Sequence, residues 1–220
     1  LYNAEYKKSK YENARKSIAE SLKNYTKAEN GYSNVIDYVM SLYDKTFYSS
    51  NTFGKAFNNY IEAYLKNEAF RYRRSSAFDE EKVRAEKENL SEYVNSADVK
   101  KLSDEEYQTY TKNMWTLNFL SYAEGYNSEY NNWFEKIKKT DFCSSEILTD
   151  DDKLKFSNII ASWEASLQQE LEEQLKYERK YFEANLEEIE NIKENNLDYS
   201  VYEQNVNSLW QLKSSLAEYA

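Results

Sequence analysis

The sequence predicts an all-α fold, an elongated and mostly antiparallel bundle of five to seven helices. Three observations carry that expectation. The 220 residues include no proline and only three glycines. Proline breaks helix interiors and glycine costs a helix roughly 1 kcal/mol relative to alanine, so a chain nearly without both has little provision for tight turns or sheet corners. Apolar side chains recur at spacings of three and four over most of the length, and no alternating strand pattern bounded by turn dipeptides occurs. Finally, Ser103 with Glu106 and Thr149 before Asp150, Asp151 and Asp152 read as helix starts, each opening a long periodic segment.

The first helix is expected from about Tyr2 to Ala28. Tyr11, Ala14, Ile18, Leu22 and Tyr25 share one face, and Asn30-Gly31 reads as the left-handed cap. A shorter helix follows with Val35, Val39, Leu42 and Tyr43 inward, before a polar break at Tyr48-Ser49-Ser50-Asn51. A third helix starts near Thr52 on the stripe Phe53, Phe57, Tyr60, Ile61, Tyr64 and Leu65. It ends in Arg71, Arg73 and Arg74, cations that suit the negative end of the helix dipole. Ser75 or Ser76 is expected to cap a fourth helix with Asp79, Glu80 and Glu81 in its first turn. Its apolar residues are few (Val83, Leu90, Tyr93 and Val94), so it is expected to lie on the outside of the bundle or to fray.

A long helix is expected near 103–139, with Tyr107, Tyr110, Met114, Leu117, Phe119, Tyr122, Tyr126, Tyr130, Trp133 and Ile137 on a drifting stripe. Gly125 inside it reads as a kink or a close helix crossing. Residues 140–149 form the clearest loop. A second long helix is expected near 150–194, where Leu154, Ile160, Trp163, Leu167, Leu171, Leu175, Phe182, Leu186 and Ile189 keep step. Unbroken, it would span ~68 Å. After Asn195-Asn196 a last helix carries Val201, Tyr202, Val206, Leu209, Trp210, Leu212 and Leu216. No shift of composition divides the chain, so one domain over 1–220 is expected, with 97–102 as the place where two packed helical halves would separate.

Composition narrows the function. Hydrophobic residues make up 40% and aromatic residues 16%, enough for a sizeable core and against disorder. The formal charge, 29 − 39 = −10, disfavours nucleic acid and anionic lipid as partners. The longest apolar runs, such as Ile159-Ile160-Ala161, are far too short for a transmembrane segment. The chain opens Leu1-Tyr2-Asn3, which reads as a processed or truncated form. A soluble protein is expected, secreted or surface-exposed after removal of an N-terminal signal.

Chemistry is poorly provided for. No histidine occurs, which removes the commonest general base and the commonest metal ligand. Cys143 is the single cysteine, so it has no intrachain disulfide partner and no histidine to activate it. The glycines at 31, 54 and 125 are isolated, and no phosphate-binding loop is formed. Asp150-Asp151-Asp152 lacks the central glycine and closing glutamate of a calcium loop, and a helix start accounts for it better. Glu170, Glu172, Glu173, Glu178, Glu183, Glu187, Glu188 and Glu190 read as a solvated face, with pairs such as Glu172–Lys176 and Glu183–Lys180. No cofactor, metal or catalytic residue is expected.

Tyrosine, at 22 copies, is the most over-used residue. Most copies sit at core spacing, with Tyr2, Tyr6, Tyr72 and Tyr126 expected to be exposed. Arg71, Tyr72, Arg73 and Arg74 form the one dense basic cluster and are the candidate partner-binding residues, suited to a carboxylate, a phosphate or an acidic protein. The bland alternative is dipole compensation with pairing to Glu80 or Glu81. The sequence is therefore read as a non-enzymatic helical protein–protein interaction module. A self-associating filament or virion component, and an acidic inhibitor of a basic or nucleic-acid-binding protein, are the alternatives.

Overall fold

The computed structural model describes residue 13 and residues 15–43, 51–138 and 149–194. All regular secondary structure among them is helical: α1 spans Ser33–Tyr43, α2 Asn51–Arg73, α3 Glu80–Ser96, α4 Asp104–Lys138 and α5 Asp150–Glu194. Residues 15–22 are helical too, and a 3₁₀ turn at Val99–Lys101 joins α3 to α4. The chain is an all-helical bundle, and the two expected long helices are α4 and α5. The expected last helix, Cys143, Tyr2, Tyr6 and the 140–149 loop up to Thr149 lie outside the described residues.

Local chemistry sets the starts of the later helices. At α4 the Ser103 backbone N–H donates to Glu106 Oε2 at 2.8 Å, and the Glu106 N–H donates back to Ser103 Oγ at 3.4 Å. At α5 the Thr149 N–H donates to Asp152 Oδ2 at 3.1 Å and the Asp152 N–H to Thr149 Oγ1 at 3.2 Å, the same exchange with a shorter acid. Those hydrogen bonds hold the Glu106 and Asp152 carboxyls below the usual carboxylate range. The start of α3 departs from expectation. Its N-cap is Asp79, which accepts the Lys82 N–H at 3.2 Å, and not Ser75 or Ser76. The Ser75 hydroxyl is used one turn earlier, donating to the Tyr72 carbonyl at 2.7 Å.

By its contacts the chain divides into two compact units. The first consists of the described residues of Leu1–Tyr25, Ser41–Ile61 and Tyr177–Ala220. Its core holds Ile18, Leu22, Phe57, Tyr60, Phe182 and Leu186. Phe182 stacks on Tyr60, ring centroids 5.5 Å apart and planes 7° from parallel. The Arg15 guanidinium donates to the Leu186 carbonyl and that of Arg179 to the Leu22 carbonyl, both at 3.1 Å.

The second unit comprises Thr26–Met40 and Glu62–Lys176. Residues 97–102 lie inside it, where α3 packs against α4 and Lys87 pairs with Glu124. Its centre is aromatic: Tyr72 meets Tyr32 edge-on at 5.3 Å and Phe78 edge-on at 5.6 Å, and lies tilted against Phe119 at 5.6 Å. Tyr32 lies a further 5.2 Å from Phe119. Val83 is the one buried residue of α3, in keeping with an outer helix.

Three expectations are corrected here. The first helix does not run to Ala28, because the helical stretch stops at residue 22 and 25–28 are irregular. Their backbone is claimed by α2: Tyr64 Oη donates to the Thr26 carbonyl at 2.8 Å, and the Ala28 N–H donates to Glu68 at 2.9 Å. Gly31 has φ 138°, outside the left-handed helical region, and does not cap that helix. Among the described residues Gly125 marks no close crossing: a Cβ built there meets nothing within 4 Å.

Candidate functional site

The basic cluster sits in the last turn of α2 and the residues that follow it. Arg71, Arg73 and Arg74 all turn toward carboxylates of α5, and Tyr72 is not part of an exposed face. It is 6% exposed and packed among Tyr32, Phe78 and Phe119. The reason is helical phase: Tyr72 continues the buried series Leu65, Ala69, Tyr72 at spacings of four and three. Tyr126, also expected to be exposed, is half-buried and meets Phe70 edge-on at 5.3 Å.

The arginines do not pair with Glu80 or Glu81. Their partners lie about ninety residues or more away on α5. Arg73 Nη1 donates to Glu164 Oε1 at 3.2 Å, and Arg74 Nε lies 3.4 Å from the other oxygen of the same carboxylate. Arg71 donates through Nη2 to Glu172 and approaches buried Glu68 at 3.4 Å through Nε. Glu172 is thus used by Arg71 and not by Lys176, and Glu183 by Arg179 and not by Lys180.

A closed ring of side chains results. Glu68 accepts from Asn67 Nδ2 at 2.9 Å; Asn67 Oδ1 accepts from Gln168 Nε2 at 2.9 Å; Gln168 also donates to Glu172 at 2.9 Å; and Arg71 bridges Glu172 back to Glu68. Sequence reasoning missed Asn67, Glu68 and Gln168. The signal was present, since Glu68 falls four residues after Tyr64 on the apolar stripe of α2. A carboxylate in a core register needs partners, and here they are a backbone N–H, an amide and a guanidinium.

Beside the ring an open depression of about 270 Å³ is lined by Glu29, Arg71, Arg74, Ser75 and Gln168. Three guanidinium charges face three carboxylates (Glu68, Glu164 and Glu172), and Glu29 adds a fourth at the rim. The cluster therefore clasps α2 to α5 more than it projects positive charge. Among the described residues no group of three or more acidic or thiol side chains is placed to hold a metal ion. No helix among them is long and apolar enough to cross a membrane.

A second feature lies at the start of α5. Its apolar stripe keeps step from Leu154 onward, but its first residues are more exposed than its later ones. Leu171 and Leu175 are buried, whereas Leu154 is 59%, Ile159 52% and Trp163 38% exposed. Phe156, Ile160 and Leu167 are half-buried. Among the described residues the exposed tyrosines are Tyr93, Tyr107, Tyr177 and Tyr181, none of which the sequence pointed to as exposed. The chain matches no known protein-family model, no curated protein sequence and no solved structure.

Proposed function

We propose that the chain is a non-enzymatic helical module that works by binding another protein. The observation that carries this reading is the exposed apolar face at the start of α5. Ile159 and Trp163 are four residues apart and adjacent on the helix surface, with half-buried Phe156, Ile160 and Leu167 beside them. Grouped exposed apolar side chains on a protein surface mark interaction sites, and tryptophan is enriched among the residues that carry binding energy.

The arginine cluster supports the reading less, because each guanidinium already faces a carboxylate of the same unit. Reversing Arg73 and Arg74 would remove both cations from Glu164, so lost binding in that variant would report the clasp as much as a docking site. An acidic-inhibitor reading is weaker still: Glu164, Glu172 and Glu183 are engaged by arginines and do not form one bare negative face.

The test compares stability with crosslinking. Ile159→Asp and Trp163→Glu should leave the melting temperature nearly unchanged, while Leu171→Asp lowers it sharply. A photoreactive side chain at Ser162 should yield discrete protein adducts in native extract that are absent in the Trp163→Glu background. Polar variants at 159 and 163 as damaging as the one at 171 would show these residues to be core, and the reading would fall.

A further inference from the structure

We infer that the depression at the C-terminal end of α2 binds a small zwitterion of the α-amino-acid class. The inference goes beyond the docking face on α5 and does not depend on it. Glu29, Arg71, Arg74, Ser75 and Gln168 line the depression, and all five belong to the second compact unit. Its two guanidinium groups are far from saturated, since each carries five N–H donors. Arg71 makes one side-chain hydrogen bond, from Nη2 to Glu172, and its buried Nε makes none. Arg74 faces Glu164 at 3.4 Å through Nε and lies 5.7 Å from the centre of the Phe70 ring. Its guanidinium donates no hydrogen bond among the described residues. Acceptors are unused as well. Gln168 donates to Asn67 and to Glu172, but among the described residues its Oε1 accepts nothing and Glu29 forms no ion pair.

Charge selects the ligand. Arg71, Arg73 and Arg74 are set against Glu68, Glu164, Glu172 and Glu29, so the negative groups outnumber the positive ones. The end of α2 adds the negative pole of its helix dipole. A phosphate or a lone carboxylate finds open N–H donors there but is repelled by that balance. A lone ammonium finds Glu29 but leaves the guanidinium donors unused. A zwitterion answers both halves: its carboxylate accepts from Arg71 and Arg74, and its ammonium donates to Glu29 and Gln168. Size agrees with charge. The volume of about 270 Å³ falls just short of pockets that enclose drug-sized ligands, which run from roughly 300 to 1,000 Å³. The depression is open, so the amino acid's side chain stays in solvent and recognition rests on its two charged groups. Binding is therefore weak, with a Kd on the order of millimolar, and nearly blind to the side chain.

The experiment titrates the isotope-labelled full chain with glycine, acetate, methylammonium and inorganic phosphate at constant ionic strength. It is run at slightly acidic pH, where guanidinium protons exchange slowly and carboxylates stay ionised. The readout is the nitrogen–proton NMR signals of Arg71 and Arg74 Nε–H and of the Gln168 side-chain amide. Glycine should shift them saturably, alanine should do the same, and the other three probes should not at equal concentration. Glu29→Gln should weaken glycine binding roughly tenfold, the loss of one charge-assisted contact, with the melting temperature unchanged, because Glu29 is exposed. Arg74→Gln should abolish the shifts. Arg74 also faces Glu164, so if that variant loses stability, Glu29→Gln decides. Acetate or phosphate acting as strongly as glycine would show a plain anion site, and methylammonium a plain cation site. Either result overturns the assignment, as does unchanged glycine affinity in Glu29→Gln. Signals that stay still at glycine concentrations far above millimolar overturn the site itself.

Discussion

Glu68, buried on α2, accepts the backbone N–H of Ala28 at 2.9 Å across forty residues of chain. One carboxylate thus fixes the irregular segment before α1 and, through Asn67 and Arg71, joins the side-chain ring that reaches α5. Removing it strands two donors, the Ala28 N–H and the Asn67 amide, in a buried setting and takes a charge partner from Arg71. Glu68→Ala should lower unfolding free energy by about 3–4 kcal/mol. Glu68→Gln keeps an acceptor for Ala28 and should cost about half as much. Urea denaturation of both variants is the check. Equal losses would show that the side chain's shape matters and its acceptor does not.

The clasp at Glu164 is a distinct energetic unit. The Arg73 and Glu164 side chains are 9% and 15% exposed, so their attraction is little weakened by water. A double-mutant cycle on this pair should give a coupling of about 1–2 kcal/mol. The pair Arg84–Glu80 on α3, at 58% and 47%, should give about 0–0.5 kcal/mol. Similar couplings at the two sites would remove the case for Glu164 as a structural clasp.

These two networks mark where sequence reasoning stops. Ser103 with Glu106 and Thr149 with Asp152 act within three residues, and so the bounds of α4 and α5 were legible to within a residue or so. The end of the first helix was not, because residues 25–28 are held by Tyr64 and Glu68, about forty positions away. The arginine partners were misassigned for the same reason: Glu80 and Glu81 are near in sequence, Glu164 and Glu172 are near in space. Periodicity also cannot say how much of a stripe is covered. Trp163 and Leu171 share the α5 stripe, but only Leu171 lies in the core.

Tyrosines set the alkaline limit of the fold. Burial pushes the Tyr122 hydroxyl up to about 12, helped by the charge of Glu62 and the hydrogen bond to it. Burial likewise raises Tyr32, beside Glu86, and Tyr72, beside Glu86 and Asp79. A raised phenol favours folding fully below its ordinary value near 10 and loses that contribution as pH climbs toward 12. The carboxyls of Asp79, Glu106 and Asp152 are depressed, and their contribution is lost as pH falls through their folded values. With no histidine, the urea midpoint should be flat between about pH 6 and 8 and fall on both sides. Absorbance at about 295 nm should show a late ionisation step that accompanies unfolding. A single step near 10 with stability intact at pH 12 would contradict the buried phenol–carboxylate contacts.

Two glycines make opposite predictions from the same substitution. A Cβ at Gly31 or at Gly125 meets nothing within 4 Å, so packing is neutral at both. What differs is the backbone. Gly31 has φ 138°, a conformation that L side chains rarely adopt, in the segment that leads into α1. Gly31→Ala should therefore cost about 1–3 kcal/mol in strain. Gly125 lies inside α4 and is exposed, where glycine adds only unfolded-state freedom. Gly125→Ala should stabilise by about 0.5–1 kcal/mol. Thermal unfolding of the two variants should move the midpoint in opposite directions. Destabilisation by Gly125→Ala would mean that something packs closely against α4 there, restoring the helix crossing that the open space around this residue argues against.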